Sequence, residues 1–183
     1  MWDTTGVDRD RIDELHRACV EAVEPAVERF VGRLGRSGFE GADGSLASLT
    51  PVTGWFLEHV AEPRPGVATS VPPWWNPEVP TAEHGHPARW PLTRAQIELV
   101  DEFQAYVSHV ILSIRADARW VVFEGPTRDH RNGETMLGVS GGEPFAAREL
   151  VYRLALDAVH FDRPVRVTTV HDAVFDWLTS TPA

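Results

Sequence analysis

Eight of the chain's fourteen prolines fall between residues 63 and 91, namely Pro63, Pro65, Pro72, Pro73, Pro77, Pro80, Pro87 and Pro91. Each fixes φ and removes a backbone donor, so neither a regular helix nor a central strand can run through them. Trp74, Trp75 and Trp90 lie among these prolines. A free linker has no use for three exposed indoles. The segment is therefore expected to be ordered and laid over a core built by the rest of the chain, with at least two of the indoles buried. That divides the sequence into a helical part, 8–61, a Pro/Trp-rich loop, 63–91, and a helix–hairpin–helix–helix part, 93–179. At 183 residues the whole is the size of a single domain able to bury its own core.

Periodicity fills in the elements. Ile12, Leu15, Cys19, Val23, Val27, Phe30 and Leu34 recur at spacings of three and four, which predicts one long helix over 8–34. Pro25 should kink or split it, and Gly35 and Gly38 should stop it. Thr50-Pro51 reads as a cap and first-turn proline for a short helix to residue 61. The strongest signal is 93–115. Thr93 and Gln96 form a capping box, and Leu99, Val100, Phe103, Tyr106, Val107, Val110, Ile111 and Ile114 make a wide apolar stripe. Trp120–Phe123 and Glu134–Val139 read as the strands of a hairpin. Pro144 is expected to open a helix, Pro164 to end it, Val165–Val167 to add a third strand, and Thr169 with Asp172 to cap a last helix. The fold class that follows is α+β: a helix-dominated single domain with a small two- or three-stranded antiparallel sheet.

Charge and composition restrict function. With 27 acidic against 17 basic side chains the net charge is −10, and there is no basic run. Phosphate neutralisation needs Lys and Arg, so a nucleic-acid partner is not expected, nor is an anionic membrane surface. A basic protein partner would suit the field. Cys19, the only cysteine, fits a small core residue, and no intramolecular disulfide can form. The N-terminus has no basic-then-apolar signal pattern and no run is long enough to span a bilayer, so a cytoplasmic location is expected.

Candidate chemistry is sparse. Gly138-Val139-Ser140-Gly141-Gly142 matches G-x-S-x-G, with Asp157 or Asp162 and His160 or His171 following in hydrolase order. A strand-to-helix turn rich in Gly and Ser matches the same pattern. His84 and His86, two apart in the Pro/Trp loop, could both reach a transition metal if extended. His109 lies near the edge of the stripe on helix 93–115, where it is either a hydrogen-bonded core histidine or a site residue. The run Arg128–Gly133 reads as a charged hairpin loop. No phosphate-binding loop or dinucleotide fingerprint is present, so no cofactor is expected. Trp74, Trp75, His84, His86, Trp90 and His109 are the candidate binding residues.

The C-terminal half also carries a resemblance over about 85 residues. It runs from helix 93–115 into Ala118-Arg119-Trp120-Val121-Val122, then Thr135-Met136-Leu137-Gly138-Val139, Gly142-Glu143-Pro144-Phe145 and Leu150-Val151-Tyr152-Arg153-Leu154. This succession resembles a diffuse group of small bacterial proteins, some of which sit beside toxins and look like immunity proteins. It departs from the group at Ser108-His109, where a Gly-Glu pair is expected. The resemblance implies a non-catalytic binding protein, immunity-like, with an acidic surface; the alternative is a small hydrolase, serine type at Ser140 or metal-dependent at His84 and His86.

Overall fold

A computed structural model describes residues 7–62, 72–75, 92–126, 129–161 and 164–180. Among them the elements are α1 (Arg9–Glu21), α2 (Val23–Arg36), a 3-10 turn (Leu46–Ser48), α3 (Leu49–Ala61), α4 (Arg94–Ile114), β1 (Arg119–Val122), β2 (Thr135–Gly138), α5 (Ala147–His160) and α6 (Thr169–Ser180). The fold is helix-dominated α+β with one two-stranded antiparallel sheet.

The expected helix over 8–34 is two helices meeting at Ala22, three residues before Pro25. The offset has a direct cause. In a continuous helix the missing N–H of Pro25 would have to reach the Glu21 carbonyl, and its ring would clash with that group. The break falls where the bond cannot form, and Pro25 becomes the third residue of α2, where no intrahelical donor is needed. At the far end Gly38, at φ 77°, turns the chain. The Phe39 N–H then donates to the Leu34 carbonyl (3.0 Å) and the Gly38 N–H to Gly35 (3.1 Å), a Schellman closure. α3 likewise starts earlier than its Thr50-Pro51 signal. A 3-10 turn capped by Ser45 feeds into it at Leu49, and Pro51 still lies within the first turn.

α4 is the core helix. Thr93 and Gln96 form the expected capping box, and every side chain from Gln96 to Ile111 is buried except half-buried Glu98 and exposed His109. The helix is enclosed because α2, α3 and α5 all pack against it. At its middle Phe103 stacks on Phe30 (5.5 Å between centroids) and leans on Phe56 (4.6 Å). The Tyr106 hydroxyl lies 2.8 Å from Ser48 Oγ and accepts the Gly44 N–H at 3.1 Å, which ties the 37–48 connection to α4.

β1 and β2 pair Arg119 with Gly138, Trp120 with Leu137, Val121 with Met136 and Val122 with Thr135. A Cβ at Gly138 would come within 3.0 Å of Val121, which explains why a strand carries glycine there. Two expectations are corrected beyond the hairpin. Pro144 does not start a helix. The Ser140–Gly141 turn, with Gly141 at φ 75°, folds the chain back so that Phe145 bridges Leu137 through reciprocal bonds of 2.6 and 3.1 Å, and α5 begins only at Ala147. Pairing with β2 satisfies Phe145, whereas an earlier helix start would leave the Leu137 backbone open. Val165–Val167 forms no strand; that stretch leads into α6. α6 buries Val170, Val174 and Trp177 and packs on α3. It is tied down by the Trp177 indole donating to the Glu143 carbonyl (2.7 Å) and by Arg115 donating to the Leu178 carbonyl (3.2 Å).

Candidate functional site

Charge and cavity space converge at the α1/α2 elbow, where Pro72–Trp75 crosses α4. Trp74 is 4% exposed, and its indole N–H donates to Asp101 Oδ1 at 2.7 Å. On the ring face sits the Arg148 guanidinium of α5, 5.6 Å from the centroid. Arg148 Nη2 reaches Glu134 Oε2 at 2.8 Å, each side chain 11% exposed, while its Nε is shut off from solvent and has no hydrogen-bond partner among the described residues. Trp75 meets Trp74 edge-on at 6.0 Å.

Asp101 belongs to a buried ionic layer between α2 and α4. Glu98, Asp101 and Glu102 line one side of α4, spaced by three and four residues, and Arg29 and Arg33 project from α2 at the same repeat. Arg33 grips Glu102 with a fork of 2.7 and 2.9 Å and lies 3.8 Å from Glu98. Arg29 lies 3.6 Å from Asp101 and 3.7 Å from Glu102. The weaker contacts thus fall on Asp101, whose carboxyl is pushed up to about 6 by burial, against the pull of the Trp74 indole and Arg29.

Trp74 walls two cavities, and a third lies under the neighbouring Pro72 and Pro73. Two of about 20 Å³ share Cys19, Trp74, Thr135 and Arg148 in their walls, each with room for one water. The third, about 170 Å³, is bounded by Ala22, Pro25, Arg29, Pro72, Pro73, Glu98 and Asp101. Cys19 is no activated nucleophile: burial pushes its thiol up, which lowers the thiolate fraction. Beside it His16 Nδ1 lies 3.1 Å from Thr135 Oγ1, and burial pushes that imidazole down.

Of the sequence candidates, Trp74 and Trp75 come together here, buried, as staples holding the chain to the core. His109 does not join them; it is exposed on α4. His84, His86 and Trp90 lie outside the described residues. Ser140 is exposed in a turn between β2 and the bridging Phe145, so the strand–turn–helix of an elbow is not formed, and no histidine bonds it among the described residues. Asp101, Arg148, Glu134 and the Arg33–Glu102 pair were not singled out from sequence. Matching repeats, Arg29/Arg33 against Glu98/Glu102, were the available signal.

No protein-family model, curated protein or solved structure matches the chain. Its chemistry therefore rests on its own residues. Among the described residues no group of His, Cys, Asp and Glu could hold a metal ion, and no helix is long and apolar enough to cross a membrane. For Ser140 the expected result is no labelling by a fluorophosphonate probe. Single-site labelling that disappears in Ser140→Ala would promote the hydrolase alternative.

Proposed function

We propose that this is a binding protein without catalytic chemistry, that its partner is a basic protein, and that contact is made through the acidic elbow of α1 and α2. The observation that carries this reading is the state of the charges there. Glu21, Glu24 and Glu28 are exposed, and none forms an ion pair among the described residues. Glu24 and Glu28 are four apart on one helix, a like-charge spacing that costs a few tenths of a kcal/mol, about 0.2–0.5. An uncompensated arrangement of this kind suits a complementary surface better than it suits the isolated fold. The net charge of −10 adds long-range steering towards a cation-rich partner. In the immunity-like case suggested by the C-terminal resemblance, that partner is a toxin.

Calorimetric titration with the product of the neighbouring gene tests this. The expected result is binding that weakens as salt rises, and that falls at least about tenfold in the triple variant Glu21→Lys/Glu24→Lys/Glu28→Lys, because reversed charges meet like charges at the interface. Affinity indifferent to both salt and charge reversal would remove the elbow from the reading.

A further inference from the structure

We propose that Asn132 is a site of covalent modification: its side chain can close onto the Gly133 nitrogen with loss of ammonia, and the folded hairpin connection holds that reaction off. The run Arg128–Gly133 is the one sequence motif that the binding reading leaves unused. The chain has two asparagines. Asn76 precedes Pro77, whose nitrogen carries no hydrogen and cannot serve as the nucleophile. Asn132 precedes a glycine, which puts no Cβ in the way of ring closure. The reaction needs only water. Hydroxide takes the Gly133 amide proton, the nitrogen attacks Asn132 Cγ, and the new C–N bond closes a five-membered imide. The carboxamide nitrogen takes a proton from water and leaves as ammonia, which returns the hydroxide. Water then opens the imide at either carbonyl. One opening gives aspartate. The other gives isoaspartate, whose main chain runs through the former side chain and is one carbon longer.

Both reacting groups are engaged elsewhere. The Gly133 N–H donates to the Phe123 carbonyl at 2.9 Å, so the proton that must leave is held and its nitrogen faces Phe123. The carboxamide is clamped to the opposite limb of the connection: Asn132 Oδ1 accepts the Gly125 N–H at 2.5 Å, and Nδ2 donates to the Pro126 carbonyl at 2.6 Å. Ring closure requires Cγ to leave both partners and turn onto the Gly133 nitrogen. The turn around Asn132 resists that movement. Its N–H donates to the Asp129 carbonyl (3.1 Å), and the Glu134 N–H to the Arg131 carbonyl (2.8 Å). The Asp129 carboxylate accepts the Arg131 backbone N–H at 2.9 Å and its guanidinium at 2.7 and 3.0 Å. Gly133 lies at φ 82°, so the residue that makes Asn132 reactive is also the one this turn requires. Either product undoes the clamp. Aspartate has no Nδ2 donor and sets an oxygen against the Pro126 carbonyl. Isoaspartate also lengthens the path from Arg131 to Gly133, which pulls the Gly133 N–H off Phe123 just ahead of the Thr135–Val122 pair.

Peptide mapping by mass spectrometry after incubation at mildly alkaline pH tests this, because exchange of the side-chain NH2 for OH changes the mass of the peptide that carries Asn132. The urea-unfolded chain should convert Asn132 to the aspartate and isoaspartate pair, and the folded protein should do so at least about tenfold more slowly, as expected of a connection open for about a tenth of the time or less. Asp129→Ala, which removes the acceptor that fixes Arg131, should speed the reaction in the folded protein. Equal rates in the folded and unfolded chains, an unfolded chain that keeps Asn132 intact, or a folded Asp129→Ala protein no faster than the natural one would each overturn the proposal. A further measurement needs no variant. Hydrogen exchange at the Gly133 amide should be slowed in the natural protein by its bond to Phe123; exchange at the rate of an open chain rejects the clamp.

Discussion

Replacing Phe103 by Ala is expected to remove about 3–5 kcal/mol of folding stability. The ring is fully buried at the middle of α4, in the most enclosed part of the core. It stacks on Phe30 from α2 and leans on Phe56 from α3, so one side chain fills space shared by three helices. Truncation loses its apolar burial and two ring contacts, and the cavity left behind cannot collapse, because the walls belong to helices fixed by their other contacts. Urea denaturation measures the effect. A loss below about 1 kcal/mol would mean that α4 is not the centre of the fold.

The second large effect is expected at Arg33. In Arg33→Met the partner Glu102, 1% exposed, loses a two-bond fork and, among the described residues, keeps only Arg29 at 3.7 Å. An uncompensated buried charge of this kind costs about 3–5 kcal/mol. The pair itself is a different matter. Desolvation offsets much of its attraction, so Arg33→Met/Glu102→Leu should recover most of the loss and is expected to approach the natural protein's stability. The four-member cycle separates the two statements. A double variant as unstable as the single one would show that Arg33 acts by packing its stem rather than by neutralising Glu102.

How far the sequence could be read differs by element, for physical reasons. α4 was legible from its start, because the Thr93–Gln96 capping box is local and its stripe is long. The hairpin was legible because Trp120–Val122 and Thr135–Leu137 are β-formers flanked by turn residues. The Pro144 error arose because proline at a first helical turn and proline in an extended segment look the same locally. Only the distant partner Leu137 decides between them. The buried ionic layer was illegible for a similar reason. Asp101, Glu102 and Gln104 lie off the apolar stripe and read as a solvent face, yet α2 covers them, and the arginines that make this tolerable are some 70 positions earlier in the chain. The burial of Trp74 and Trp75 was legible from energetics alone. Two indoles are worth several kcal/mol when removed from water, at about 25 cal/mol per Å². Their partners, Asp101 and Arg148, were not legible, since each depends on tertiary placement.

The attachment of α6 bears on how the chain is made. Val170 and Val174 are fully buried, the helix packs on α3, and its tethers reach back to Glu143 and Arg115. Translation delivers α3 more than a hundred residues before α6. Throughout that interval the α3 face that α6 covers has no lasting cover, and a growing polypeptide with bare apolar surface is open to unwanted association. Completion of the fold is thereby deferred until residues 169–180 have left the ribosome. Ribosome-bound chains halted before Thr169 should be more sensitive to protease around α3 than chains halted far enough beyond Ser180 for α6 to dock.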